Sequence, residues 1–222
     1  MRAAPAQAFH PLRAVLEQVH PGSCPHELNF HCHTVCSDGS LRPEQLGAEA
    51  QRLGLQHLAV TDHHSTAAYA PLQAWLEQRR LAGLAVPTLW TGIEISCLLD
   101  GCLVHVLGLG FRIDDSALAP YTAGSAAVGA ALQAGEVVKR LHGAGGLALL
   151  AHPGRYRLPF QRLLTAAALL GFDGAEAYYD YGMQGPWHPT PVICDAVAAL
   201  ISEHGLLRSC GTDTHGLQLC GR

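Results

Sequence analysis

The 222-residue sequence predicts an α/β fold: strands gathered into a barrel, helices outside, and a polar site at one mouth. Three observations predict it. Short apolar runs alternate with helix-like stretches along the chain. Each apolar run ends in, or contains, His, Asp or Glu. Apolar residues make up 49% of the chain, enough to bury a core, and the length suits one domain of this class.

The elements follow in order. Residues 1–26 read as an N-terminal extension rich in Pro, Ala and His, with a helix-like piece at Leu12–Val19. The domain proper spans 27–222. Glu27–Phe30 is the first short strand. Ser40 is placed to cap a helix that runs to Leu53 and stops at Gly54. His57–Val60 is the second strand and Pro71–Leu84 a helix. Thr88–Ile95 and Cys102–Leu109 are strands. Asp114–Gly124 reads as a loop, and Ser125 as the cap of a long helix to about Ala144, ended by Gly145 and Gly146. Leu147–Ala151 is a buried strand, Phe160–Leu170 a helix, Asp173–Ala177 a strand, Val192–His204 a helix and Leu206–Cys210 the last strand. The alternation implies a mostly parallel sheet.

Composition narrows the function. A formal charge of −4 leaves no basic footprint, so no extended nucleic-acid track is expected. No apolar run reaches membrane-spanning length and no charged-then-apolar leader opens the chain, so a cytoplasmic protein without a membrane partner is expected. The eight cysteines form no CxxC pair and read as reduced structural thiols. Fourteen histidines are the unusual count, and their placement carries the information.

The first strand runs into His31, Cys32 and His33, then Asp38. The second runs into Asp62, His63 and His64. The third ends at Glu94, the fourth holds His105, the fifth runs into His152 and Pro153, the sixth carries Glu176, and the last ends in Gly211-Thr212-Asp213-Thr214-His215. In a parallel barrel the carboxyl ends of the strands share one face, so these residues meet there. His31 and His33 project to the same side of an extended chain, because side chains alternate with period two. A shell of His, Asp and Glu suits zinc, manganese or iron. Each motif alone has a plain reading: a hydrogen-bonded pair, a turn, a core histidine. Together they do not, because burying so many polar groups without partners costs several kcal/mol, and metal ions supply the partners. Glu176 reads equally as support for the site or as core lining, and His64 as support or as a substrate-facing group.

At these residues the chain resembles the PHP superfamily of polymerase and histidinol phosphatase domains. The blocks are His31-Cys32-His33 with Ser37-Asp38-Gly39, Thr61-Asp62-His63, Ala151-His152-Pro153 and Gly211-Thr212-Asp213-Thr214-His215, with Glu94 and His105 also in place. The resemblance covers about Glu27 to Gly216. It implies a distorted seven-stranded (β/α) barrel with two or three divalent ions (Mn, Zn or Fe). It also implies their partition: His31, His33, Glu94 and Asp213 for one, Asp38, His63 and His215 for a second, and Glu94, His105 and His152 for a third, with Glu94 bridging.

The Ser-Asp-Gly after HxH resembles the stand-alone phosphoesterases of that superfamily. Their nucleotide-binding insertion has no room between His105 and His152, and His64 stands where relatives commonly have Asp. The expected function is metal-dependent hydrolysis of a small phosphomonoester or nucleotide, with a metal-activated hydroxide attacking phosphorus and no separate catalytic side chain. Arg155 and Arg157 suit phosphate, and both also read as surface charges. The alternatives are a histidinol-phosphatase-type enzyme, a metal-dependent C–N or lactone hydrolase, and a non-catalytic metal-binding domain.

Overall fold

The computed structural model describes residues 9–183 and 185–221. Among them, eight strands form two sheets. β1 (Leu28–Asn29), β2 (His57–Ala59) and β3 (Thr88–Trp90) form a parallel sheet in that order. β4 (Gly92–Leu99), β5 (Cys102–Leu109), β6 (Leu147–Leu150), β7 (Gly174–Tyr178) and β8 (Leu207–Cys210) form the other, antiparallel from β4 to β6 and parallel from β6 to β8.

The α/β class is as expected and four of the six strand pairings are parallel, while the two mixed sheets do not by themselves show the expected single seven-stranded barrel. The expected strand Thr88–Ile95 is two strands, because Thr91 turns its polar groups to the exit of β5. Its carbonyl accepts from Gly110 N at 2.8 Å and its hydroxyl donates to the Phe111 carbonyl at 2.6 Å. β4 and β5 then form a tight hairpin through Asp100 and Gly101, and a hairpin is antiparallel by construction.

The sheets meet along two seams. Along one, Phe30 N donates to Cys210 O at 3.1 Å, Asp213 N to His31 O at 2.7 Å and His33 N to Thr214 O at 3.1 Å. Along the other, Glu94 N donates to Asp62 O at 3.2 Å and His64 N to Glu94 O at 3.0 Å. Both seams lie at the ligand-type residues, so the backbone itself draws the motifs together.

Among the described residues six α-helices flank the sheets: α1 (Leu12–Leu16), α2 (Pro43–Leu53), α3 (Tyr69–Leu81), α4 (Ala134–Gly143), α5 (Phe160–Leu170) and α6 (Pro191–Glu203). α2 and α3 cover the first sheet with Leu46, Ala50, Leu72 and Leu76 against Leu58. α4, α5 and α6 bury Val137, Leu141, Leu163, Leu164, Val197 and Ile201 against the second sheet. At 20–33 cal/mol per Å², each such side chain contributes about 1.5–3 kcal/mol on burial.

Two helix starts differ from the expectation. α2 begins at Pro43, not near Ser40. Proline suits the first helical turn, and Gln45 Oε1 accepts from Arg42 N at 3.0 Å. The long helix from Ser125 is absent. Gly129 sits at φ +62°, outside the right-handed helical region, so no α-helix runs through it; Gly129–Leu132 is a separate 3₁₀ turn and α4 starts only at Ala134. A further 3₁₀ segment, Ser116–Tyr121, lies in the expected loop.

The described part of the expected extension packs against the core. Leu12, Leu16 and Val19 are buried in the main core, and Arg13 reaches Asp173 at 3.6 Å. All eight cysteines are free thiols. No helix among the described residues is long and apolar enough to cross a membrane.

Candidate metal centre

All nine ligand-type residues named from the sequence converge on one cluster. Glu94 is its hub. Its Oε2 lies 3.2 Å from His31 Nε2, 3.1 Å from His33 Nε2 and 3.4 Å from His63 Nδ1. Its Oε1 lies 2.8 Å from His105 Nδ1 and 3.4 Å from His152 Nε2. Asp213 Oδ1 stands 3.2 Å from both His31 Nε2 and His33 Nε2. Asp38 faces His215 Nε2 at 3.3 Å, His33 Nδ1 at 3.6 Å and His63 Nε2 at 3.8 Å.

Local structure explains how each residue arrives. Gly211 has no room for a side chain: a Cβ there would lie 2.3 Å from His31 N, so only glycine lets the tail of β8 bring Asp213 against His31. Asn29 ties the same seam, accepting from His31 N at 3.2 Å and Thr212 N at 3.1 Å and donating to Thr212 Oγ1 at 2.8 Å. Asp62 is an anchor rather than a cluster member. Its carboxylate accepts from Thr34 N and Thr34 Oγ1, each at 2.6 Å, and from Ser37 Oγ at 2.7 Å, which holds the loop that carries Asp38. Glu94 and His105 come from within β4 and β5 rather than from strand ends, because the hairpin crosses the mouth. His152 and Asp213 adopt φ of +26° and +52°, a strain that persists only where the surroundings enforce it.

The cluster grades from closed to open. The side chains of His31, His33, Glu94, His152 and Asp213 are at most 4% exposed, whereas His105 is 29%, His215 38% and Asp38 55% exposed. The open side therefore lies toward Asp38, His215 and His105.

These residues fit divalent ions. Two buried carboxylates face six imidazoles, yet His31 Nε2, His33 Nδ1, His152 Nδ1 and both Glu94 oxygens lack a hydrogen-bond partner. Buried polar atoms in native proteins are normally paired. The four imidazole-to-carboxylate separations, from His31 Nε2 and His33 Nε2 to Glu94 Oε2 and Asp213 Oδ1, are 3.1–3.2 Å. A tetrahedral ion with bonds of about 2.0–2.1 Å wants about 3.3–3.4 Å between ligand atoms, so this cage matches within a few tenths of an ångström. Three groups have the right composition: His31, His33, Glu94 and Asp213; His33, Asp38, His63 and His215; and His63, Glu94 and His105.

Electrostatics agree. Burial disfavours charge on His31, but Glu176, Glu94 and Asp213 outweigh it and raise its pKa well above the usual histidine value. His33 is raised to about 9, burial being overcome by Asp213 and Glu94. Burial alone would raise Asp213 and Glu94, but the neighbouring imidazoles hold both well below the carboxylate range. Burial pushes His63 down to about 4 and lowers His152. Without ions, then, protons on His31 and His33 balance the two carboxylates, and cations would take their place.

Glu176, open to two readings from the sequence, touches the cluster from behind. Buried, it accepts from His31 Nδ1 at 3.0 Å and from His152 N at 2.7 Å. Nδ1–H donation to Glu176 leaves His31 Nε2 as the nitrogen that would give its lone pair to an ion once its proton is displaced. His64 is buried, with Nε2 accepting from Ser96 N at 3.3 Å, so it braces β4. Arg155 is half-exposed beside the cluster, with Nη1 donating to Asp213 Oδ2 at 3.0 Å and Tyr179 Oη at 2.8 Å. Arg157 is not brought there: it donates to the Gly101 carbonyl at the β4–β5 turn.

Sequence reasoning missed Asn29, Tyr156 and Tyr179. Tyr156 Oη accepts from His105 N at 2.8 Å, and Tyr179 Oη donates to Asp213 Oδ2 at 2.5 Å. A polar Asn inside an apolar strand and the Tyr178-Tyr179-Asp180-Tyr181 run after β7 were the available signals.

Known proteins share this chain's features. It is 26% identical to the 5'-3' exoribonuclease Rnm of Escherichia coli (strain K12), over 84% of each chain. It is 25% identical to the 3',5'-nucleoside bisphosphate phosphatase of Chromobacterium violaceum, over 85% of this chain and 87% of the relative. These alignments run over 255 and 263 positions, more than the 222 residues here, so both relatives carry segments without a counterpart in this chain. The fold matches the structure of an amidohydrolase from Chromobacterium violaceum with bound sulfate and no metal. The TM-score is 0.70 at 22% identity, over 86% of this chain and 88% of that one. The PHP domain model matches residues 29–141, a span that holds His31, His33, Asp38, His63, Glu94 and His105. The chain belongs to the PHP domain family.

Proposed function

We propose that this protein is a metal-dependent phosphoesterase acting on small phosphorylated substrates. One observation carries the reading: Glu94, with both buried oxygens unpartnered, converges with the imidazoles of His31, His33 and His152, each of which keeps an unpartnered ring nitrogen, beside the half-exposed Arg155. Family membership and relatives named as a bisphosphate phosphatase, an exoribonuclease and a cyclic-phosphate diphosphodiesterase support it.

Two to three ions of manganese, zinc or iron are proposed. His31, His33, Glu94 and Asp213 would hold one and Asp38, His63 and His215 a second. Glu94, His105 and His152 would hold a third. His63 competes for that third position, since it also lies 3.4 Å from Glu94. Bound divalent ions supply Lewis acidity, which makes water nucleophilic near neutral pH and offsets charge on phosphoryl oxygens. The protein's own part is orientation. Glu176 fixes the His31 tautomer. Tyr156 holds the backbone at His105. Arg155 keeps Nη2 and Nε for a phosphate oxygen while Nη1 serves Asp213.

The substrate is proposed to be small. The net charge is −4, and Arg157, the second candidate phosphate contact, is tied to the hairpin turn. The test compares kcat/KM for nucleoside monophosphates, nucleoside bisphosphates and long single-stranded RNA, with and without chelator. Chelator-sensitive turnover favouring the small esters is expected. Efficient cleavage of long strands with feeble action on every small ester would instead make it a nuclease.

A further inference from the structure

We infer that Tyr179 is a positioning residue that joins two parts of the site: it sets the metal-facing oxygen of Asp213 and aims Arg155 at the substrate. The inference rests on the proposed metal centre and deepens it.

Asp213 divides its two oxygens. Oδ1 faces the imidazoles, 3.2 Å from both His31 Nε2 and His33 Nε2. Oδ2 turns away and receives Tyr179 Oη at 2.5 Å and Arg155 Nη1 at 3.0 Å. Arg155 Nη1 also donates to Tyr179 Oη at 2.8 Å, so tyrosine, arginine and carboxylate form a closed three-membered ring of hydrogen bonds. The tyrosine hydroxyl is both donor and acceptor in it, a pair of roles that phenylalanine cannot fill.

Three further contacts make the ring rigid. The Tyr179 side chain is buried, with its ring 5.3 Å from that of His152 and 5.0 Å from that of Tyr181. Asp213 is held at φ +52° by its N–H bond to His31 O. With the carboxylate's outer oxygen fixed, its inner oxygen cannot rotate away from the histidines. With Nη1 donating to both Asp213 and Tyr179, the guanidinium is tethered beside the cluster while its side chain stays 38% exposed and open to a substrate. One hydroxyl thus orients a ligand carboxylate and a substrate-side cation together. Deleting it should disturb ion affinity and substrate affinity at once.

The test uses metal-free wild type, Tyr179→Phe and Arg155→Gln, titrated with Mn²⁺ and Zn²⁺ by calorimetry, followed by kinetics on a nucleoside monophosphate at saturating metal. Hydrogen-bond partners of metal ligands typically set 10–100-fold in affinity. Tyr179→Phe is therefore expected to weaken ion binding at least tenfold and, with metal restored to saturation, to raise KM more than it lowers kcat. Arg155→Gln, at a half-exposed position, serves if Tyr179→Phe does not fold, and it should also shift both constants. A Tyr179→Phe protein with a lower Tm but unchanged metal Kd and KM would reduce Tyr179 to a packing residue and overturn the inference. So would an Arg155→Gln protein whose KM rises while its metal Kd stays at the wild-type value. Wild type that binds neither metal would instead overturn the metal centre itself.

Discussion

Stripping the metal ions should make the protein's stability fall as pH rises from about 6.5 to 9, and the structure sets the size of the fall. Without ions, His33 is raised from 6.5 to about 9 by Asp213 and Glu94, and His31 is raised in the same direction. A group whose pKa is raised on folding contributes stability that is complete below its unfolded value and lost as pH climbs to its folded value. For His33 that window is 6.5 to about 9, and at 1.36 kcal/mol per pH unit it is worth on the order of 3 kcal/mol. Glu94 and Asp213 are shifted down, so their contribution disappears only in acid and stays constant here. For a chain of 222 residues, each kcal/mol moves Tm by about 2–4 °C, so a drop of roughly 10 °C is expected across the window. With ions bound the imidazoles are already unprotonated, so the loaded protein should lose far less. Scanning calorimetry of chelator-dialysed and metal-reconstituted protein at half-unit pH steps measures both curves. A metal-free Tm that is flat or rising between pH 6.5 and 9 would refute the proton-for-metal account of the cluster.

Other expectations are more direct. Protein purified without chelator should carry two to three divalent ions per chain by mass spectrometry, and fewer than one after adding manganese or zinc would remove the metal centre. His31→Ala should abolish turnover while circular dichroism stays native, since the residue serves the cluster at the seam; near-normal rates would show that it holds no ion. Glu176→Gln should keep the fold but weaken metal binding by about 10–100-fold, because the amide no longer fixes the His31 tautomer; unchanged affinity would reduce Glu176 to core lining. Arg155→Ala should cost about 1.5–3 kcal/mol in kcat/KM on small esters, with no loss meaning that phosphate is held elsewhere.

What the sequence determined was chemistry and local form. Metal ligation needs His, Asp and Glu, so His31, His33, Asp38, His63, Glu94, His105, His152, Asp213 and His215 were legible as residue types at the ends or in the bodies of apolar runs. β5 and α5 came out at their expected limits because apolar periodicity and glycine stops are local signals. What only the tertiary structure decided was pairing. Glu176 meets His31 across 145 residues and Asn29 meets Thr212 across 183, and no local pattern encodes such partners. The hairpin that makes β4 and β5 antiparallel depends on where Thr91 finds hydrogen bonds, and the late start of α4 on the backbone turn at Gly129. Arg155 and Arg157 stand two residues apart with the same chemistry. One reaches Asp213 and the other the Gly101 carbonyl, because the chain past His152 turns through a 3₁₀ segment that sends their side chains to different neighbours.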